Sequence, residues 1–137
     1  MFALAYEALD VQELSGKLGP GLDAGALVCF EGRVRNHHQG RAVRGLDYEA
    51  HEALALAEGE KILIEAHARF AVSAACVHRL GSLGLGEIAV WVGAAGSHRE
   101  ESFAACRWVI DEVKARVPIW KREYYVDGDP VWQHPQA

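Results

Sequence analysis

The chain has 137 residues, half of them hydrophobic, and a formal net charge of −5. That length suits one domain, 1–137, able to bury roughly two thirds of the surface its unfolded form exposes. An acidic balance argues against a general nucleic-acid binder, and no apolar stretch approaches the ~20 residues that span a bilayer, so neither nucleic acid nor membrane is an expected partner.

The first residues, Phe2 to Leu9, suit a short strand, with Met1 followed by no charged leader and long apolar run of the secretory kind. Asp10 is placed to N-cap a helix through Leu18, broken by Leu18-Gly19-Pro20-Gly21. Gly25 to Arg35 reads as a long strand. Ala26 to Phe30 is apolar on both faces and so is expected to be buried on both. Beyond it Phe30, Gly32 and Val34 share one face, and Glu31, Arg33 and Arg35 the other. Asn36 to Gly40 is a polar loop, and Val43 to Glu49 a return strand forming a long-tipped antiparallel hairpin with the first. A helix over 52–70 follows, its inner face marked by Ile62, Ala66 and Phe70; Gly59 inside it signals close packing or a break.

Ala74 to Leu80 and Glu87 to Ala95 read as strands joined by the glycine-rich turn 81–86. The clearest helix runs from His98 to Val117, with a stripe of Phe103, Cys106, Ile110, Val113 and Val117 at spacings of three and four. Pro118 ends it, because the residue before proline is pushed out of helical geometry. Ile119 to Val126 is a strand, and Val131-Trp132 a short addition. This order predicts an α+β domain with a mainly antiparallel sheet and two long helices packed on it.

The three cysteines, Cys29, Cys76 and Cys106, are odd in number and lack metal-type spacing. Set among apolar neighbours, they are expected as buried small hydrophobes in a reducing cytoplasm. His37 and His38 sit side by side in a loop and no His-x-x-x-His falls on a helix, so no metal is expected.

Cations carry the chemistry on offer. Ser97 and Glu100 fit a capping box at the start of the long helix, with His98 and Arg99 in its first turn, where backbone N–H groups favour an anion. Arg33 and Arg35 share a strand face that could grip a phosphate or carboxylate. Lys114 lies near the helix C-terminus, where the helix dipole alone would favour it. Lys121 follows on the next strand, sharing a face with Ile119 and Glu123. A lysine turned inward there is a candidate for acid–base chemistry; an edge lysine that blocks aggregation is the plainer alternative. These residues suggest an anion site without naming the anion.

Three segments together resemble one family. They are Phe30-Glu31-Gly32-Arg33-Val34-Arg35-Asn36-His37, Ser97-His98-Arg99 with Phe103 beyond it, and Lys114-Ala115-Arg116-Val117-Pro118-Ile119-Trp120-Lys121-Arg122-Glu123. His78-Arg79-Leu80-Gly81 fits the same pattern. The resemblance is to the molybdopterin synthase catalytic (large) subunit family, over about 25–132. It implies a hammerhead-like α+β fold and a sulfurtransferase of molybdenum cofactor biosynthesis that needs no cofactor. The implied substrate is cyclic pyranopterin monophosphate. The implied sulfur donor is the C-terminal Gly-Gly thiocarboxylate of a small ubiquitin-like subunit, bound to a catalytic homodimer within a heterotetramer. By position, Arg33, Val34, Arg35, His98, Arg99, Lys114, Lys121, Arg122 and Glu123 would bind substrate, with Lys114 and Lys121 catalytic. The competing expectation is an α+β module that holds a phosphorylated ligand or a protein tail without chemistry.

Overall fold

The computed structural model describes residues 1–18 and 21–134, so the break expected over 18–21 falls partly outside it. The elements in chain order are β1 (Phe2–Ala5), α1 (Val11–Leu18), β2 (Ala26–Arg33), β3 (His37–His38), β4 (Arg41–Ala50), α2 (Glu52–Phe70), β5 (Ser73–Arg79), β6 (Gly81–Leu83), β7 (Ile88–Gly96), α3 (Arg99–Arg116), β8 (Ile119–Tyr125) and β9 (Val131–Gln133). The expected α+β class holds, but the strands divide into two sheets. One has the order β1-β5-β7-β2; the other runs β3-β4-β8-β9, with β6 also on β4. Every pairing is antiparallel except β1 with β5.

The hairpin expected between the strand over 25–35 and its return does not form. β2 pairs with β7 and β4 with β8. The register slips between Gly32 and Arg33, ending β2 before Arg35. The backbone of Val34 then bonds to Glu87 and Gly86, which carries the chain from one sheet to the other. The stretch read as a polar loop is itself a tight hairpin. Gln39 and Gly40 both have positive φ, the pattern of a two-residue turn matched to strand twist, and they set His38 opposite Arg41.

The main core lies between the first sheet and the two long helices, and continues under the second sheet through Leu46, Tyr48, Leu83 and Ile119. Cys76, Val90, Val92 and Ala94 face α2 and α3 there; the alternate residues Ala75, Val77 and Trp91 face α1 through Leu14 and Leu18. That alternation is the two-residue period of a strand covered on both sides. On α2, Ala55, Gly59, Ile62, Leu63 and Ala66 are buried. Gly59 marks close packing, not a break: a Cβ there would lie 2.2 Å from the Phe2 ring.

Two burial expectations are overturned. The apolar run of β2 is an edge strand of its sheet, so Leu27, Cys29 and Phe30 are exposed in the single chain, while Cys76 and Cys106 are buried. Phe103, counted in the α3 stripe, is also exposed, whereas Cys106, Ile110, Val113 and Val117 are buried. Among the described residues no helix is long and apolar enough to cross a membrane.

Candidate active site

Where the two sheets part, the C-terminal end of α3 closes a cavity of about 280 Å³. Its wall includes Arg33, Val34 and Arg35 from the end of β2, Tyr48 from β4, His78 from β5, Lys114 from α3, and Lys121 and Glu123 from β8. Strand alternation delivers the β8 pair. Ile119, Lys121, Glu123 and Tyr125 are buried, while Trp120, Arg122 and Tyr124 alternate outward. Pro118 turns the chain from helix to strand, so Lys114 and Lys121 reach one cavity from different elements.

Four cations meet two carboxylates, Glu31 and Glu123, in this wall. Arg33 is spent on Glu31, with its guanidinium 2.7 Å from the carboxylate. Lys121 lies 3.4 Å from Glu123 Oε1 and is 10% exposed. Arg35 and Lys114 have no ion-pair partner among the described residues. Burial first, and then the charges of Lys121 and Arg35, hold the Lys114 ammonium below the usual lysine range. A half-buried, electrostatically crowded ammonium favours an anion that relieves the repulsion, and gives up its proton more readily than an ordinary lysine.

Two further cavity groups escaped the sequence reading. His78 is buried and packs edge-on against Tyr48 at 4.8 Å. Its Nδ1 donates to the Arg79 carbonyl at 2.8 Å. Burial pushes its pKa down to about 4, against that hydrogen bond and with help from Lys114, so the ring is neutral at neutral pH. Burial also pushes the Tyr48 hydroxyl up to about 12, with the Glu123 charge adding. His78 lies within a segment that carries the resemblance, but no periodicity separates it from an ordinary strand residue. His38, expected in a flexible loop, is buried and bonded through Nδ1 to Glu123.

Other expected residues lie elsewhere. Arg122 faces away from the cavity, bonding Asp47 at 3.2 Å and Tyr124 at 2.9 Å and stacking over Trp132. His98 and Arg99 stand at the opposite end of α3 from Lys114, roughly 22 Å away at 1.5 Å per residue. Both are exposed. Nor is the capping box present. The N-cap is His98, whose side chain makes no cap bond; Ser102 instead donates to the His98 carbonyl at 2.8 Å. Glu101 and Ser102 pack against Gly96, where a Cβ would lie 2.8 Å from Ser102 Oγ, and the helix start falls one residue past Ser97. Among the described residues no group of three or more His, Cys, Asp or Glu is placed to hold a metal ion.

Fold and cavity define a two-sheet α+β protein with an anion-attracting pocket that contains two lysines drawn from separate elements. The chain belongs to the MoaE protein family, whose model matches residues 4–116. It is 49% identical over 113 residues to the molybdopterin synthase catalytic subunit of Oryza sativa subsp. indica, covering 82% of this chain and 58% of that one. The match therefore spans little more than half the length of the rice relative. Identity to the subunit of the same name from Pyrococcus abyssi is 44% over 112 residues, with 77% and 76% covered. The crystal structure of molybdopterin synthase from Staphylococcus aureus superposes with a TM-score of 0.88 at 30% identity, covering 95% of this chain and 94% of that one. A complex of subunits 1 and 2 of molybdopterin-converting factor from Helicobacter pylori shares the fold at a TM-score of 0.80 and 23% identity, with 99% and 92% covered.

Proposed function

We propose that this chain, acting as one domain in the cytoplasm, is the catalytic subunit of a molybdopterin synthase. It converts cyclic pyranopterin monophosphate to molybdopterin, taking the dithiolene sulfurs from the C-terminal thiocarboxylate of a small ubiquitin-like subunit. The observation that carries this reading is the convergence of Lys114 and Lys121 on one cavity beside Arg35, which has no ion-pair partner among the described residues. The two reactants are both anions, a phosphate ester and a thiocarboxylate, and the cavity offers cations in excess of carboxylates. Family membership and relatives named molybdopterin synthase catalytic subunit support the assignment.

In this reading Arg35 attracts the substrate anion and the two ammonium groups face the thiocarboxylate. Negative charge that develops during sulfur transfer is stabilised by fixed cations in a partly dry pocket, where it counts for more than in water. The lowered proton affinity of Lys114 suits it to move a proton. His98 and Arg99 lie too far from their own cavity to serve it, so they are proposed to complete the pocket of a second copy in a homodimer. The exposed edge strand β2, with Leu27 and Phe30 uncovered, supports such an assembly. A module that merely holds a phosphate or a protein tail would need the cations but not two lysines on one wall.

The test is single-turnover dithiolene formation with purified thiocarboxylated partner and the pterin precursor, measured beside partner affinity. Lys114→Ala and Lys121→Ala should each slow turnover by roughly 10²–10⁴-fold, the usual range for a lost acid–base group, with partner affinity largely kept. Near-normal rates in both variants would refute the catalytic assignment.

A further inference from the structure

We propose that His38 is a positioning residue of this cavity: it holds the Glu123 carboxylate back from Lys121, leaving the Lys121 ammonium free for the reactants. The inference rests on the function proposed above for Lys121.

Left-handed Gln39 and Gly40 fold β3 onto β4, and alternation leaves His37 exposed while His38 turns inward. His38 and Glu123 side chains are 3% and 4% exposed. Glu123 Oε1 receives the Gln133 amide Nε2 at 2.6 Å and faces Lys121 Nζ at 3.4 Å. Both of those groups can only donate. Oε1 is therefore the acceptor, and the proton shared with His38 belongs to Nδ1. The other ring nitrogen, Nε2, is buried with no partner among the described residues. An unpartnered buried nitrogen works against the fold, and an apolar ring would fill the same space without it. What an apolar ring cannot supply is the Nδ1 donor.

The consequence lies in the distance from Lys121 to Glu123. A relaxed charge-assisted N–H···O contact closes to about 2.7–2.9 Å. The Lys121–Glu123 contact stays at 3.4 Å because His38 and Gln133 already occupy the same oxygen. Two strong neighbours thus hold the carboxylate short of a direct hydrogen bond to the lysine, while its charge still helps hold that lysine at the wall. Without His38 the carboxylate is free to close on Lys121.

The test compares His38→Phe, His38→Asn and His38→Gln with the wild type. An asparagine amide can stand where Nδ1 stands; a glutamine amide reaches to the level of Nε2. Single-turnover dithiolene formation should fall about 10- to 100-fold in His38→Phe, the scale of a slightly misplaced catalytic group. Apparent KM and partner affinity should change little. His38→Asn should recover most of the rate and His38→Gln should not. Crystal structures should show the Lys121–Glu123 contact shortened below about 3.0 Å in His38→Phe and restored in His38→Asn. A wild-type rate in His38→Phe, equal rates in the Asn and Gln variants, or an unchanged Lys121–Glu123 distance would each overturn the proposal. If His38→Phe does not fold, the Asn and Gln pair still decides it. An inactive wild type whose Lys121–Glu123 contact nevertheless shortens in His38→Phe would refute the proposed function while upholding the restraint.

Discussion

Replacing Gly59 by alanine sets two effects of opposite sign against each other. In an exposed helix interior the change would stabilise by about 0.8–1 kcal/mol, because glycine has more backbone freedom to lose. Here the added methyl would stand 2.2, 2.3 and 2.5 Å from three atoms of the Phe2 ring. The ring must retreat by about 1.3 Å to reach the ~3.5 Å of a favourable carbon contact. It has little room to do so. Phe2 is 4% exposed, its strand is registered against Cys76, and its amide donates to Glu60 at 2.7 Å. Overpacking of this kind costs about 1–3 kcal/mol, and the severity of the overlap points to the upper end. The net expectation is a loss of about 1–2 kcal/mol, or roughly 4–8 °C in Tm for a chain of this size. Urea denaturation and calorimetry of Gly59→Ala would measure it. A companion cycle isolates the cause. Phe2→Ala alone should cost about 3 kcal/mol or more. In that background Gly59→Ala should instead gain about 1 kcal/mol. A neutral or stabilising Gly59→Ala in the otherwise unchanged protein would refute the packing argument.

The cavity makes two electrostatic predictions. Lys121→Gln should move the Lys114 pKa upward, since the Lys121 charge is one of the causes that lower it; NMR titration of the lysine side chains would show the rise, and an unmoved Lys114 would mean that the two ammonium groups do not share a site. His78 is held near 4 when folded against about 6.5 in the unfolded chain, so between those values only the unfolded chain binds the extra proton. Its contribution is therefore complete above pH 6.5 and is lost as the pH falls towards 4, by up to about 3 kcal/mol. His78→Gln should flatten that part of a stability profile measured by denaturation from pH 4 to 7; an identical slope in the variant would rule out His78 as its source.

Local pattern is a good guide where one face of an element meets one kind of surroundings. The period of Cys106, Ile110, Val113 and Val117 marks the buried side of α3, and Pro118 marks its end. Strand alternation separates Lys121 and Glu123 from Arg122, so their shared face is legible in the order of residues, whereas the structure shows that face to be the inward one. The same alternation carries Arg122 away from the site that resemblance assigned to it. The family, too, is readable from three short segments that resemble it in order, and its model matches residues 4–116.

Long-range pairing is not legible. An apolar run such as Ala26 to Phe30 has the same composition whether it is a central strand or an edge, and only the partners chosen by β7 and β8 make it an edge. The same choice opens the gap between the sheets that becomes the cavity. It also converts His38 from a loop residue into a buried partner of Glu123, 85 positions away. Hydrophobic periodicity reports which side of an element is dry; it carries no record of which distant element provides the covering. Hence residue types and faces follow from the order of amino acids along the chain, whereas the meeting of Arg35, His78, Lys114, Lys121 and Glu123 depends on strand register and on the crossing of two sheets, which tertiary packing alone decides.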